Sequence, residues 1–397
     1  MLPRMTRRNV PTAYLASCLK NMQFFGAVAV PFFIDWLRVD YTRLFILQAW
    51  FLFWVFTLEI PTGVVADRFG RKISVAIGCL LFGADMLFFG FVQSYPVLFV
   101  AEFLGAIGMT LMSGAEQALL YDSLVALKLE GRARHYFSRC DAAGTLGMLL
   151  AFPVGSFVAS LGRYPQMVPL PFVMSAASAA LAAVAYLSME EPQRTKPRAG
   201  FLRMGVDGLR TLFVHRDLRA YVLNAVTISA VTFFAFWLYQ PIALRAGLGV
   251  AWLGVLAAGF NLFSTILLAN SARLEAFIGL RRLLLLSAVV PAALFAALGF
   301  IYHVAFIVPA LFVLVGCRMI RIPMLNDLIN RHIESENRAT VISAVSLVER
   351  FVTFALYPLV GWLMDISLDR ALYVLALLCA AFAVATRLGD HHLSAAK

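Results

Sequence analysis

Long apolar stretches alternate with short polar ones along almost the whole chain. Twelve of them can be laid out, at roughly 13–35, 43–66, 72–93, 97–122, 137–160, 167–189, 220–242, 251–271, 280–300, 303–324, 339–364 and 371–389. Each is close to the roughly 20 residues that a helix needs to cross a bilayer. Barrel strands would be about ten residues long with alternating polarity, a pattern these stretches do not have. The patterning predicts an all-α polytopic membrane protein with about twelve transmembrane helices.

Composition agrees: 61% of the 397 residues are hydrophobic and the mean hydropathy is +0.83. Charge then orients the chain. With the N-terminus placed inside and the loops alternating, 24 of the 33 Lys and Arg residues fall in inside segments and 5 in outside loops. That asymmetry predicts an integral protein of a cytoplasmic membrane, the inner membrane of a prokaryote, with both termini cytoplasmic. The net charge of +11 is thereby explained as basic loops held at an anionic leaflet, with no nucleic acid as partner. The basic N-terminus runs straight into a long span bearing polar residues, unlike a cleavable signal peptide. Cys18, Cys79, Cys140, Cys317 and Cys379 lack paired spacing and predict neither disulfides nor a metal site.

The longest inside segment, 190–219, separates six spans from six. It predicts an N-terminal bundle over 1–189, a linker over 190–219 and a C-terminal bundle over 220–397. The linker opens with Glu190, Glu191, Pro192 and Pro197. Leu202, Val206, Leu209 and Phe213 then recur at helical spacing, as in a helix lying on the membrane surface. The halves echo one another. Tyr121-Asp122 closes the fourth span and Asn326-Asp327 the tenth, Arg-Ala follows at 132–133 and 338–339, and Pro-Gly breaks follow at Pro153/Gly155 and Pro358/Gly361. Weak repetition of this kind is expected of a carrier built from two related bundles.

Between the second and third spans stands Gly63-Val64-Val65-Ala66-Asp67-Arg68-Phe69-Gly70-Arg71-Lys72. It fills every fixed position of G-x-x-x-D-R-x-G-R-K, and on it the chain resembles the major facilitator superfamily of secondary transporters nearly end to end. Glycine at 63 and 70 allows close helix approach and a tight turn. Asp67, near the C-terminal end of its helix, needs a compensating partner against the dipole. The resemblance implies one near Arg338-Ala339-Thr340, at the start of the eleventh span in the other half. Gly63, Asp67, Arg68, Gly70, Arg71 and Arg338 would then form a conformational latch. Drug–proton antiporters are the group this resembles, but Glu102 stands where they carry an Arg, and Phe152-Pro153-Val154-Gly155 only partly repeats their fifth-span element.

Ionisable residues inside spans are costly and are functional candidates by default. The resemblance places the first, fourth, seventh and tenth spans along the pathway, which selects Lys20 with its i,i+3 neighbour Gln23, Glu116, Arg318 and Arg321, with Asp85 a further proton-site candidate. Met109, Met112 and Glu116 form a stripe that faces either the cavity or the packing. Glu116 lies six residues before Asp122 and Arg321 six before Asp327. Matched opposite charges predict either a gate in which the two meet or separate partners within each half. Glu59, Asp122, Arg139, Asp141, Asp327, Glu349 and Arg350 read as structural charges. Trp237 and Tyr239 read as an interfacial belt, beside Phe233, Phe234 and Phe236.

No phosphate-cradling G-x-x-x-x-G-K-[ST] and no H-E-x-x-H occurs, so an ATP pump or metalloenzyme is not expected, nor any cofactor or metal. The reading is a secondary transporter using alternating access, coupled to protons, that moves a small organic solute, with efflux preferred. An uptake symporter or uniporter for an organic anion, or a non-transporting receptor, stays open. A monomer suffices for this architecture.

Overall fold

The computed structural model describes residues 6–192, 216–331 and 338–386. Helices dominate, and no strand occurs among the described residues. The first half holds α1 (Thr6–Lys20), α2 (Tyr41–Phe69), α3 (Arg71–Phe91), α4 (Tyr95–Met112), α5 (Ala115–Ala126), α6 (Ala133–Ser160) and α7 (Leu170–Leu187). The second holds α8 (Arg216–Phe233), α9 (Ala235–Arg245), α10 (Val250–Ala269), α11 (Ser271–Ile278), α12 (Leu280–Leu298), α13 (Val304–Arg331), α14 (Arg338–Ile366) and α15 (Leu368–Ala385). Among the described residues, eleven stretches are long and apolar enough to cross a bilayer. A twelfth arises if the bent pair Arg8–Ala27 and Ala29–Trp36, angled at 54°, is one span. The predicted all-helical architecture is observed, with eleven or twelve candidate spans among the described residues.

Among the described residues, the first, fourth and seventh spans are broken. The first ends its regular helix at Lys20 and continues through short pieces at Phe24–Ala27, Ala29–Pro31 and Phe32–Trp36. The fourth divides into α4 and α5 at Ser113-Gly114, and the seventh into α8 and α9 at Phe234. Breaks at membrane depth leave backbone groups that must find protein or cavity partners. By contrast, Pro61, Pro153, Pro309, Pro323 and Pro358 are absorbed inside continuous helices.

Contacts divide the chain into two compact units. The first comprises Met1–Asp40, Ile46–Ala199 and Gly249–Asn261, the second Tyr41–Phe45, Gly200–Leu248 and Leu262–Lys397. Specific bonds account for the two exchanged segments. Asp365 of α14 accepts hydrogen bonds from the backbone N–H groups of Tyr41 (2.7 Å) and Thr42 (2.9 Å), which ties the start of α2 into the second unit. Ser156 of α6 donates to the Ala251 carbonyl (2.9 Å), which ties the start of α10 into the first. The first core gathers around Cys79, Leu119, Leu124, Ala182 and Tyr186. The second gathers around Tyr221, Ile320, Leu325, Leu328 and Val341.

The internal echo is visible in the backbone. Gly70 precedes α3 with φ 112° and ψ 138°, and Gly279 precedes α12 with φ 88° and ψ 139°. Both are conformations that a side chain resists. The second-to-third and eighth-to-ninth loops therefore end on the same glycine turn. The surface helix expected from Leu202, Val206, Leu209 and Phe213 lies outside the described residues.

Trp237 and Tyr239 do not form an interfacial belt. Trp237 is 7% and Tyr239 2% exposed, and Trp237 packs edge-on against Phe45. Their rings serve the interior of the second unit, while Phe236 is the exposed aromatic of that segment.

Candidate functional site

The first span's regular helix ends on a cation and the second piece of the fourth span begins with an anion. Lys20 is the last residue of α1, and Glu116 stands in the first turn of α5. Helix dipoles favour a cation at a C-terminus and an anion at an N-terminus, so both charges sit where their own helices stabilise them. They meet in a charge-assisted ion pair. Tyr186 of α7 donates its hydroxyl to the other Glu116 oxygen at 2.6 Å. The side chains of Lys20 and Glu116 stay 21% and 18% exposed, because both line a cavity of about 580 Å³.

That cavity lies wholly within the first unit. Asn21 and Gln117 give it further polar groups, Asp141 a second carboxylate, and Leu120, Phe137 and Met148 apolar surface. Its formal charge is one cation against two anions, a net of −1 with Asp141 ionised. α1 and α6 approach closely beneath it: a Cβ on Gly147 would stand 2.2 Å from the Cys18 carbonyl oxygen. Ser17 donates to the Cys140 carbonyl across the same contact (3.1 Å).

Several expectations are corrected here. Gln23 does not share a helical face with Lys20, since α1 stops at Lys20, and Asn21 takes the place in the cavity wall. The Met109, Met112 and Glu116 stripe is interrupted at Ser113-Gly114. Met112 is buried against Cys79 instead, and Met148 is the methionine that lines the cavity. Asp141, read as a structural charge, also lines it. Of the two alternatives for Glu116 and Arg321, a shared gate or separate partners, this structure has each engaged inside its own unit. Arg321 is 1% exposed and donates to Asn224 Oδ1, to the Leu284 carbonyl (2.9 Å) and to Ser287 Oγ (3.1 Å). Arg318, one turn earlier, bonds the Ser229 carbonyl, lies 3.5 Å from Glu349 and stands over the Phe233 ring at 5.3 Å.

The loop motif is organised around Arg71. Its guanidinium binds Asp122 at the end of the fourth span and the Ala118 carbonyl, and lies 4.0 Å from Asp67. Gly70 supplies the turn, Arg68 rests over Phe69, and Gly63 lies exposed along α2. Glu191 completes the corner by accepting from the backbone N–H groups of Arg71 (2.9 Å) and Lys72 (2.8 Å) at the start of α3. The side chains of Arg338-Ala339-Thr340, where the other half of the latch was expected, lie outside the described residues.

Asp327 pairs with Arg331 one turn on (2.7 Å). Glu59 is half-buried on α2, and Arg350 follows Glu349 on α14. Arg139 is exposed on α6, two residues before Asp141. Asp85 is buried between α3 and α4, away from the cavity.

Sequence reasoning missed Tyr186, Asn21 and Glu191. Tyr186 ends an otherwise featureless Ala-rich helix, and Glu191 looks like ordinary linker charge. Their pairing is a matter of tertiary placement, and only the scarcity of polar groups in the sixth span hinted at the tyrosine.

A family profile for the major facilitator superfamily matches residues 13–356. The chain belongs to the major facilitator superfamily. It is therefore an integral membrane transporter and not an enzyme. Multidrug resistance protein 1 of Bacillus subtilis (strain 168) is 29% identical over 162 residues, 41% of this chain and 39% of that protein. Multidrug resistance protein 2 of the same strain is 30% identical over 118 residues, 30% of this chain and 27% of that protein. The chain thus aligns with about two fifths or less of these two relatives' lengths. Among solved structures, the nucleoside transporter NupG superposes with a TM-score of 0.78 at 13% identity, covering 96% of this chain and 98% of that one. A bacterial homologue of the lysosomal transporter Spinster, in an inward-facing and occupied conformation, gives 0.76 at 15% identity over 99% and 97%. These likenesses establish the fold.

Proposed function

We propose that this protein is a proton-coupled exporter of amphipathic organic cations, working by alternating access in a prokaryotic inner membrane with both termini cytoplasmic. One observation carries the reading: the cavity holds the Lys20–Glu116 pair together with Asp141. An excess of one negative charge beside Leu120, Phe137 and Met148 suits a solute that is apolar over most of its surface and positive at one end. The likeness to two multidrug resistance proteins points the same way.

The pair also supplies a coupling chemistry. An arriving cation competes with Lys20 for Glu116, and so does a proton, so the two ligands exclude each other at one carboxylate. Exclusion of this kind is what exchange of substrate for protons requires. Tyr186 holds the carboxylate in place whichever partner is bound. Access would alternate through the 1–189 and 220–397 halves, with the Asp67 corner and Arg338 as the latch.

Equilibrium binding of a fluorescent lipophilic cation to the purified protein tests the reading. Wild-type protein should bind the cation in competition with protons, and Asp141→Asn should weaken binding about tenfold. A preference for an organic anion, abolished in Lys20→Gln, would support anion uptake instead. Binding with no flux in vesicles would point to a receptor.

A further inference from the structure

A second group of buried acids lies outside the cavity, on α3 and α4. Asp85 is 2% exposed and Glu102 6%. A methyl group on Gly105 would stand 2.3 Å from Asp85 Oδ2, so this carboxyl rests directly on the bare backbone of α4. Glu102 and Gly105 are i,i+3 neighbours on one face of that helix, which puts the two acids about one turn apart. Glu102 accepts one hydrogen bond, from Gln48 Nε2 of α2 at 2.8 Å. Asp85 Oδ1 is buried with no hydrogen-bond partner among the described residues.

Among the described residues, the elements packed around them carry no cation close along its helix to either acid. α7, the helix most extensively packed on α3, carries Tyr186 as its sole titratable group, and that hydroxyl is committed to Glu116. On α4 the only other titratable group is Tyr95 at its start. On α3 they are Cys79, six residues away, and Arg71 and Lys72 more than a dozen residues away. α5 adds Glu116, Tyr121 and Asp122, which are acids or phenol. On α2, Arg43 and Glu59 lie five residues before and eleven after Gln48, about 7 and 16 Å along the helix. A buried carboxylate with neither a cation nor enough donors is too costly to remain charged, and two such groups side by side are costlier still. A proton is the ligand that lowers the charge of the pair.

We propose that Asp85 and Glu102 form a proton-binding site of their own, distinct from Glu116 and holding a proton between them at neutral pH. Gln48 fixes the Glu102 end, while the unpartnered Asp85 Oδ1 is free to receive an O–H from its neighbour or to carry the proton itself. Either way the shared proton links α3, α4 and, through Gln48, α2. This inference goes beyond the exporter reading and requires no substrate to be bound.

Infrared spectroscopy of the protein in lipid nanodiscs tests it without any transport assay. At pH 7 the wild type should show a protonated-carboxyl C=O band that fades as the pH is raised. The band should shift or weaken in Asp85→Asn and in Glu102→Gln, and stay unmoved in Glu116→Gln and Asp141→Asn. Gly105→Ala, which presses a methyl on Asp85 Oδ2 and leaves both acids in place, should shift the band and so covers the case in which an acid-removing variant fails to fold. No such band in the wild type, or a band unmoved by all three substitutions at 85, 102 and 105, would overturn the proposal. Because no substrate is added, failure here is separate from failure of the exporter reading.

Discussion

Arg71 binds Asp122, at the far end of the fourth span, more closely than it approaches Asp67 four residues away in its own motif. Asp122 is 4% exposed and the Arg71 side chain 15%, so this is a largely desolvated pair, and removing one partner takes the main counter-charge from the other. Asp122→Asn and Arg71→Gln should each cost about 3 kcal/mol of stability, with strong non-additivity in the double variant. Thermal unfolding in detergent reads the cycle. Additive losses, or losses below about 1 kcal/mol for either single variant, would show the pair to be no more than a surface contact.

Glu191 caps α3 from the segment that follows α7. Glu191→Gln keeps one of the two acceptor oxygens and loses the charge facing the helix dipole, whereas Glu191→Ala loses both oxygens and the charge. The expected costs are about 0.5 and about 1 kcal/mol respectively. Hydrogen exchange localised to the Arg71–Val75 amides would report the opening, and equal exchange in both variants and wild type would dismiss the cap.

Arg321 tests structure against pathway. With Asn224, Ser287 and the Leu284 carbonyl as its partners, it acts inside the second unit. Arg321→Met should preserve transport within about twofold in folded protein yet cost about 2 kcal/mol of stability, since it leaves the buried Asn224 Oδ1 without its donor. Asn224→Ala leaves the guanidinium underbonded and should cost about 2 kcal/mol. Loss of transport in well-folded Arg321→Met protein would restore this arginine to the pathway.

Gly147 sets the distance between α1 and α6 behind the cavity. A Cβ there meets the Cys18 carbonyl oxygen at 2.2 Å, and that atom is backbone that cannot swing aside. Gly147→Ala should lower the yield of monodisperse protein and displace Lys20 and Asn21. A variant of normal yield and unchanged ligand affinity would mean that α1 has slack at this point.

Much of this architecture was legible in the amino-acid order. Apolar stretches of spanning length mark the helices because bilayer thickness and the 1.5 Å rise leave little choice. Gly70 and the basic residues beside it announced their turn. Lys20 and Glu116 were likewise visible as costly charges inside spans. Their partnership was not visible, because it depends on where α1 stops and where the fourth span breaks. Ser113-Gly114 carries too little sequence signal to mark that break against the helical pattern on either side. The equal spacing of Glu116 and Arg321 from their aspartates suggested a shared role, yet near neighbours decide the role of a buried charge. Lys20 and Tyr186 took one, and Asn224 and Ser287 the other. Trp237 and Tyr239 misled for a related reason: an aromatic near a span end can face lipid headgroups or a packed interior, and composition alone does not choose.

The central claim is that cation and proton compete for Glu116. Its most direct test is proton movement across proteoliposomes when a lipophilic cation is added, comparing wild type with Glu116→Gln and with Asp141→Asn. The account predicts cation-evoked proton flux in the wild type, its loss in Glu116→Gln, and a reduced affinity with coupling intact in Asp141→Asn. Undiminished cation-evoked flux in folded Glu116→Gln protein would contradict it.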